Sequence, residues 1–539
     1  MSLIGDGAPD SSAALPATPV GQAIARAGLI LGVAFLASRL LGWARLAVIG
    51  ATFGASPDLD AYFAAFRIPD AIFQLVAAGA LSSALVPMVT SLLAGGDVPR
   101  AWRLVSSVTN LMLLVLAALA VAAGIWAPEL LRAITPGFDP ARLEQAVGLT
   151  RLMLAAPVFL ALGAVATSSL NSLGLFAASA LAPIAYNLGI IAGAVLLAPS
   201  LGVTGLALGV VLGSAGHLAI QLPQLRRRAR YSPTIELGDP AVRQTIGLLV
   251  PRAIGLGAVQ AVFLVNTMLA SQLGEGAISI YVIAFLILQI PVGVVGVPLG
   301  VALLPSMARA LTLGSPERFA DLVGRSLRLI LFVMLPLGAV MAVLRVPIVG
   351  LLVGYGRFDP LAFDRAAATL LFFLVALVPE TMIAVLARAF YAGKDTLTPV
   401  LAALASVVVD VVLALFLVDR LGLGGLALAI GLGSCLEAGL LLLLLRRRVA
   451  EFELAPVGRS GVVFAGGTVL AAGVAWLASS AAGAAAPGPG LERLVFQLGA
   501  ATVLAGLAYA LYALVLRVPE LSYLVDLLRG GRLFRRSSP

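Results

Sequence analysis

Long apolar segments recur along the whole chain and constrain its fold more than any other feature. Fourteen stretches, separated by proline, glycine or charged clusters, each have the roughly 20 mostly apolar residues that a helix needs to cross a bilayer. Hydrophobic residues make up 61% of the chain and charged residues only 11%, whereas soluble domains are about 25% charged. We therefore expect an all-α polytopic membrane protein, and we exclude a soluble enzyme, a nucleic-acid-binding protein and a disulfide scaffold. The expected spans are 23–50, 60–93, 101–126, 146–170, 175–198, 201–225, 244–272, 276–310, 326–346, 366–391, 396–418, 421–445, 460–483 and 492–517.

The distribution of basic residues predicts the orientation. The formal net charge is +9, and arginines concentrate in alternate loops, as in the clusters 226–228 and 446–448. Loops rich in Lys and Arg stay on the cytoplasmic side, where they meet anionic lipid. This predicts that both termini are cytoplasmic, with residues 1–22 as a disordered tail and residues 518–539 as a C-terminal tail.

An internal repeat divides the chain. Residues 201–228 and 421–448 align without gaps at an offset of 220, with Gly205 matching Gly425. Six spans separate the two copies, so they have the same orientation in the membrane. Such parallel repeats form two lobes around a central site near the bilayer midplane. We expect an N-lobe (23–230), a C-lobe (240–448) and two additional helices (460–517).

Several arginines lie inside expected spans. Arg39 and Arg45 lie in the first expected span, Arg67 in the second and Arg252 in the seventh. A buried guanidinium normally faces a bundle interior or a wet cavity, and its planar fork matches phosphate. These four are candidate ligands for a phosphate or diphosphate group. Arg39 and Arg45 point in different directions from a straight helix, so we expect a bend at Gly42.

Acidic residues inside the spans have more than one interpretation. Asp60, Asp70 and Glu380 are alternative partners for the arginines, which would make the arginines structural. Glu380, Asp410 and Glu437 are candidates for binding a coupled ion, or for hydrogen bonds between helices. The sequence does not decide between these alternatives.

Other chemistry has little support in the sequence. The chain has one histidine, His217, and one cysteine, Cys435, too few for a zinc site or a disulfide. It contains no G-x-x-x-x-G-K-[ST] loop for nucleotide binding. We expect a transporter without a cofactor or metal, not an enzyme. Its driving force is then the substrate gradient, coupled Na⁺ or H⁺, or the membrane potential.

Six motifs carry a family resemblance. They are SRLLGWAR (38–45), FGASPDLDAYFAAFRIPD (53–70), GALSSALVP (79–87), APIAYN (182–187), GVALLPSMAR (300–309) and ARAFYAGKDTLTPV (387–400). Together they resemble the MurJ/MviN lipid II flippases, which belong to the multidrug/oligosaccharidyl-lipid/polysaccharide exporter superfamily. The resemblance extends from the first expected span to the twelfth.

The resemblance implies a function and a set of roles. It implies that an undecaprenyl-diphosphate-linked peptidoglycan precursor, lipid II, is flipped to the outer leaflet of the bacterial inner membrane. Arg39 and Arg45 match arginines that engage the diphosphate, and residues 460–517 resemble a groove for the lipid tail. It further implies a monomer that works beside cell-wall synthases. Candidates for lining or gating the cavity are Ser38, Gly42 and Asp60.

The chain also departs from the family pattern at charged positions. Uncharged residues replace several family charges, namely at Leu46, Phe73, Gln74, Ala78, Phe285 and Leu286. Arg252 has no clear counterpart in the family and is a candidate to compensate. The alternatives are a flippase for another polyprenyl-linked glycan, a transport-inactive paralogue or scaffold, and a cation-coupled drug exporter.

Overall fold

The regular secondary structure of the described residues is helical. A computed structural model of the chain describes residues 19–76, 80–354, 356–485 and 490–528. The first half contains α1 (Pro19–Phe53), α2 (Pro57–Val76), α3 (Ala80–Ala94), α4 (Val98–Ile125), α5 (Ala127–Ile134), α6 (Pro140–Met153), α7 (Ala155–Ser172), α8 (Ala177–Ala192), α9 (Ala198–Leu201), α10 (Val203–Ala219) and α11 (Leu222–Arg226). A π-helical turn, Gly193–Leu197, joins α8 to α9.

The second half repeats this plan and adds a C-terminal pair. It contains α12 (Pro240–Ser271), α13 (Ala277–Pro291), α14 (Val297–Thr312), α15 (Pro316–Val343), α16 (Arg345–Val353), α17 (Pro360–Phe373), α18 (Leu377–Ala392), α19 (Leu397–Leu421) and α20 (Leu423–Arg448). A π-helical turn, Val292–Gly296, joins α13 to α14, and a 3₁₀ turn, Leu374–Ala376, joins α17 to α18. The final helices are α21 (Ala455–Ala485), α22 (Leu491–Val515) and α23 (Pro519–Leu528).

The polytopic all-α fold is confirmed, but the count of fourteen spans is not. Within the described ranges, 12 helical segments are long and apolar enough to cross a membrane. The two other expected spans contain α2–α3 and α12, where the described residues include the shorter apolar stretches Ala84–Ala94 and Val259–Ser271. The expected span 60–93 is divided between α2 and α3, and α2 carries Asp58, Asp60, Arg67 and Asp70. Fourteen spans therefore stays a prediction.

The two copies of the repeat have the same local geometry. Gly202 and Gly422 precede α10 and α20 with φ of +56° and +54°, a left-handed conformation that favours glycine. A Cβ on Gly205 would lie 2.5 Å from the carbonyl carbon of Leu197, and one on Gly425 would lie 2.6 Å from that of Leu417. These pairs are all related by the offset of 220, so each lobe folds its last two spans back through the same tight turn.

Small residues bring helices of the N-lobe into backbone contact. A Cβ on Gly193 would lie 2.5 Å from the Cα of Gly209, so α10 packs directly against the π-helical turn at the end of α8. Close approach between small residues is the usual way in which membrane helices associate. The contact fixes α8, which forms one wall of the central cavity described below.

The C-terminal pair attaches to the outside of the C-lobe. The helices α21 and α22 pack against each other, and α21 packs on α15. The ring of Phe332 on α15 lies 5.4 Å from Phe464 and 5.1 Å from Tyr509. Beyond them, Glu520 of α23 is 2% exposed and accepts a 2.9 Å hydrogen bond from Arg328 Nε. The expected C-terminal tail therefore begins with a docked helix, while residues 1–18 and 529–539 lie outside the described residues.

Candidate substrate cavity and gate

A cavity of about 910 Å³ lies between the two lobes. Its walls come from α1 and α8 of the N-lobe and from α13 and α14 of the C-lobe. Most of the lining is apolar. The polar and charged side chains that line it are Ser38, Arg39, Arg45, Ser179, Tyr186, Asn187 and Gln289.

Arg39 and Arg45 line this same cavity, as does Gly42 between them. Helix α1 is continuous from Pro19 to Phe53, so no break in the helix is needed to bring both guanidinium groups to one space. A Cβ on Gly42 would have nothing within 4 Å. Gly42 therefore leaves open space in the cavity wall.

The Arg39 side chain reaches across to the C-lobe. A Cβ built on Gly293, in the π-helical turn, would lie 2.8 Å from Nη1 and 3.0 Å from Cζ of Arg39. Only a residue without a side chain leaves room for the guanidinium there. The turn Val292–Gly296 thus forms a seat for Arg39 at the wall where the lobes face each other.

The other two arginines of the sequence analysis are not part of this lining. Arg67 lies between α2 and α12, where its Nε donates to Thr267 Oγ1 at 3.2 Å and its guanidinium lies 5.1 Å from the centre of the Phe263 ring. Arg252 belongs to α12, but its side chain lies outside the described part of the structure. The structure therefore brings together two of the four candidate phosphate ligands.

Asp60 does not line the cavity but joins the lobes. It is 1% exposed, and its Oδ1 accepts hydrogen bonds from Ser279 N at 2.8 Å and Ser279 Oγ at 2.6 Å. Ser279 lies in the first turn of α13, where free N–H groups and the helix dipole favour a carboxylate. A Cβ on nearby Gly276 would lie 2.5 Å from Ala55 O, so the backbones of the two lobes are in contact here.

Two further sets of contacts join the lobes at the same end. Arg357 N donates to Ala51 O at 3.1 Å, and Gly137 N donates to Ser271 Oγ at 3.3 Å. Ala51 and Ser271 are related by the offset of 220, as are Gly137 and Arg357, so these contacts are the two copies of one interaction. We call the Asp60–Ser279, Ala51–Arg357 and Gly137–Ser271 contacts the gate.

The gate lies at the end of the molecule opposite to the arginine clusters. Helix α1 ends at the gate, and the cavity lining begins earlier in α1, at Ala34. Helix α4 is long and apolar enough to cross a membrane. It runs from Arg100 and Arg103, which pair with Asp239 and Glu236 shortly after the cluster 226–228, to Ile125, shortly before Gly137 of the gate. An ion pair at the gate end, between the largely buried Arg142 and the exposed Glu275 at 2.9 Å, adds a contact between the lobes. The cavity is therefore closed on the side away from the basic loops.

The acidic residues of the C-lobe form a polar cluster apart from the cavity. Glu380 Oε1 accepts a 2.9 Å hydrogen bond from Ser434 Oγ. Within the described residues, Asp410 Oδ1, both amide atoms of Asn266 and the Tyr281 hydroxyl are buried without a hydrogen-bond partner. Glu437 lies one helical turn beyond Ser434 on α20. We call Glu380, Asp410, Glu437, Asn266 and Tyr281 the C-lobe polar cluster.

The departures from the family pattern have different surroundings. Leu46 and Leu286 line the cavity, so its wall is apolar where the family carries charge. Phe285 packs between the rings of Phe263 and Phe373 at 5.3 Å and 5.6 Å. Gln74 Nε2 lies 3.5 Å from Asp70 Oδ1 on the same helix. Phe73 lines a smaller pocket inside the N-lobe, and Ala78 lies outside the described residues.

Sequence reasoning assigned no role to several polar lining residues. Tyr186 and Asn187 close the APIAYN motif, and Asn187 Nδ2 donates to Ser38 O at 3.3 Å. Trp43 and Gln289 also line the cavity. The APIAYN motif was a usable signal for Tyr186 and Asn187, whereas Gln289 is a single polar residue in an apolar run.

Comparison with known proteins decides the family. A family model described as "Lipid II flippase MurJ" matches residues 49–496. The chain belongs to the MurJ family. It is 33% identical over 424 residues to the lipid II flippase MurJ of Burkholderia cenocepacia, covering 77% of this chain and 82% of the relative. It is 29% identical over 526 residues to the probable lipid II flippase MurJ of Bdellovibrio bacteriovorus, covering 96% and 97%.

Solved structures agree on the fold. The chain matches "Lipid II flippase MurJ, inward closed conformation" with a TM-score of 0.76 at 20% identity, over 90% of this chain and 99% of that one. It also matches an inward-facing multidrug resistance MATE family transporter with a TM-score of 0.65 at 17% identity, over 77% and 95%. MurJ membership and the apolar helices identify a multi-pass protein of the bacterial inner membrane.

Proposed function

We propose that this MurJ family member flips lipid II from the inner to the outer leaflet by alternating access, for peptidoglycan synthesis. The observation that carries the proposal is that Arg39 and Arg45 line one cavity of about 910 Å³ between the lobes. Two guanidinium groups in a largely apolar cavity suit a diphosphate, because charge-assisted hydrogen bonds are strong where water is scarce. The remaining polar lining residues then contact the saccharide.

The gate supports an inward-facing resting state. The basic loops are expected to lie in the cytoplasm, and both termini then lie there too. The contacts of Asp60 and Ala51 therefore close the central cavity on the outer side of the membrane. A headgroup would enter from the cytoplasm and bind Arg39 and Arg45. Release to the outer leaflet requires the gate to open and the lobes to close at their cytoplasmic ends.

We propose that α21 and α22 accommodate the lipid tail. Both helices expose large apolar side chains, among them Val462 (76%), Val469 (74%) and Val515 (72%). Such surface is stable only against lipid chains. Their attachment through Phe332 and Tyr509 holds this surface beside the C-lobe.

We propose that the C-lobe polar cluster binds the coupled ion, Na⁺ or H⁺, with no other cofactor. Buried polar atoms without partners are costly, and a cation or proton between Glu380, Asp410 and Asn266 would satisfy them. Replacement of Asp410 by Asn should then remove the dependence of flipping on the ion gradient. Whether the ion is Na⁺ or H⁺, it carries one positive charge, on which the membrane potential acts.

The alternatives are weaker on specific grounds. A drug exporter of cationic substrates is disfavoured because the charged groups that line the cavity are arginines. A scaffold is disfavoured because the cavity is open rather than filled by packing. A different polyprenyl-linked glycan fits the same arginines, and the substrate comparison below separates it from lipid II. We expect the chain to work as a monomer beside cell-wall synthases.

Flipping by purified protein in liposomes tests the proposal. Wild type should move fluorescent lipid II across the bilayer, and Arg39→Ala and Arg45→Ala should each abolish the movement. Arg420→Ala is the matched control, because Arg420 is exposed and lies outside the cavity lining. Transport of an undecaprenyl diphosphate with another glycan, but not of lipid II, would select the alternative. No movement of either lipid by correctly inserted wild type would contradict the flippase function.

A further inference from the structure

A second, smaller cavity of about 280 Å³ lies inside the N-lobe. We call it the N-lobe pocket. It is enclosed by α2, α7, α8 and α10, and it shares Pro183 and Tyr186 with the central cavity. The polar side chains that line it are Asp70, Tyr186 and His217. Pro183 and Tyr186 therefore form a wall that the pocket and the candidate substrate site have in common.

Asp70 has no strong partner among the described residues. Its hydrogen bond is to Gln74 Nε2, at 3.5 Å, which is at the limit of such a bond. No cationic group of the described residues lies within 4.0 Å of its carboxylate. Arg67, one turn earlier on the same face of α2, donates to Thr267 and lies over the Phe263 ring, and it forms no ion pair with Asp70. An ionised carboxylate so placed is costly inside a membrane protein.

His217 lines the same pocket and also carries an unsatisfied polar atom. Its Nδ1 is buried without a hydrogen-bond partner in the described residues. The ring is held against Gly163, where a Cβ would lie 2.3 Å from Nδ1. The lining contributed by α7 is apolar, namely Ala156, Pro157 and Leu160.

Tyr186 connects the pocket with the arginines of the central cavity. It lines the central cavity together with Arg45 and the N-lobe pocket together with Asp70. The charged and titratable groups around Asp70 are therefore Arg67 on its own helix, Tyr186 on α8 and His217 on α10, and Arg45 of α1 lies in the central cavity that Tyr186 also lines. Positive charge thus lies near Asp70 without forming an ion pair with it.

We propose that the N-lobe pocket is a proton-binding site, in which the Asp70 carboxylate takes a proton from water of the central cavity. Neutral Asp70 leaves the positive charge of Arg45 uncompensated, whereas ionised Asp70 competes with an anionic headgroup for it. Proton binding and diphosphate binding therefore strengthen each other, and the coupling is reciprocal. The site stands on its own geometry, and only its role in coupling rests on the proposed function.

Infrared difference spectroscopy of the purified full-length protein tests for the proton. A carboxylic-acid C=O band that disappears as the pH rises should be present in wild type and absent from Asp70→Asn. The matched control is Asp419→Asn, which removes an exposed carboxyl of the C-lobe and should retain the band. A band that is unchanged in Asp70→Asn would overturn the proposal. Circular dichroism of each variant checks that the helices are intact.

The affinity for farnesyl diphosphate tests the coupling. Wild type should bind this soluble diphosphate more weakly as the pH rises, by about 5- to 150-fold for a typical coupling beyond the ligand's own titration. Tyr186→Phe keeps Asp70 and should reduce this dependence while the infrared band stays. An equal pH dependence in wild type and Asp70→Asn would refute the coupling. If wild type has the infrared band but binds no diphosphate at any pH, the proposed flippase function fails and the proton site stands.

Discussion

Opening of the gate should depend chiefly on Asp60. Its Oδ1 accepts two hydrogen bonds from Ser279, at 2.8 Å and 2.6 Å, and the residue is 1% exposed. A hydrogen bond to a charged group contributes about 1.5–3 kcal/mol, so both together contribute about 3–6 kcal/mol. Since 1.4 kcal/mol is a factor of ten, Asp60→Ala should shift the equilibrium toward the open gate by roughly 10²- to 10⁴-fold. Ser279→Ala removes only the hydroxyl bond and should shift it by roughly 10- to 150-fold.

Distances between spin labels on the two lobes would measure this shift. Suitable label positions are Arg132 of α5 and Leu361 of α17, because both residues are exposed and take part in none of the gate contacts. The native Cys435 is first replaced by Ser, so that only the introduced cysteines are labelled. Wild type should show the short, closed-gate distance, and Asp60→Ala should show mainly a longer one.

A control at the same end makes the test specific. The pair Arg142–Glu275 also joins the lobes, but Glu275 is 69% exposed, and exposed ion pairs contribute at most about 1 kcal/mol. Glu275→Gln should therefore shift the equilibrium by no more than about fivefold. If Asp60→Ala leaves the distance distribution as in wild type, or if Glu275→Gln opens the gate equally, Asp60 is not the residue that holds it.

Two further predictions concern the seat of Arg39 and a loop ion pair. Gly293→Ala should displace the Arg39 guanidinium from positions 2.8–3.1 Å from the new Cβ and reduce flipping by up to about 10²-fold, the effect of a misplacement of about 1 Å. Gly439→Ala is the control, because a Cβ there meets nothing within 4 Å, and it should not reduce flipping. Equal losses of flipping in the two variants would contradict a role of Gly293 in positioning Arg39. The hydrogen bonds and charge of Arg100 hold the pKa of Asp239 below its ordinary value of 3.8. The pair therefore stabilises the fold above pH 3.8 and loses this effect as the pH falls below it, so melting curves of wild type and Asp239→Asn should converge in acid and differ at neutral pH.

The sequence predicts the central cavity better than it predicts the gate. An arginine in an apolar span needs a polar space, which is why the apolar neighbours of Arg39 and Arg45 are enough to predict a cavity beside them. The same argument fails for Arg67, because its partner Thr267 is 200 residues away in the chain. A threonine in a helix does not indicate in the sequence that it will accept a hydrogen bond from an arginine. Intramembrane charge indicates that a partner exists but not which one.

The gate depends on atoms that a sequence pattern does not display. The contact of Ala51 with Arg357 is made by backbone groups, and the partner of Asp60 is a serine in the first turn of a helix. The repeat offset of 220 is the only trace of this arrangement, since it relates Ala51 to Ser271 and Gly137 to Arg357. Applied to the loops as well as to the spans, the offset would have predicted two equivalent contacts between the lobes.

A double-mutant cycle for lipid II binding tests most directly whether Arg39 and Arg45 hold one diphosphate. Binding to purified wild type, Arg39→Gln, Arg45→Gln and the double variant is measured at one salt concentration. Two groups that bind one ligand are energetically coupled. The loss of binding free energy in the double variant should therefore differ from the sum of the losses in the single variants by about 0.5–3 kcal/mol. Strictly additive losses, or binding that neither substitution weakens, would contradict a shared diphosphate site between the lobes.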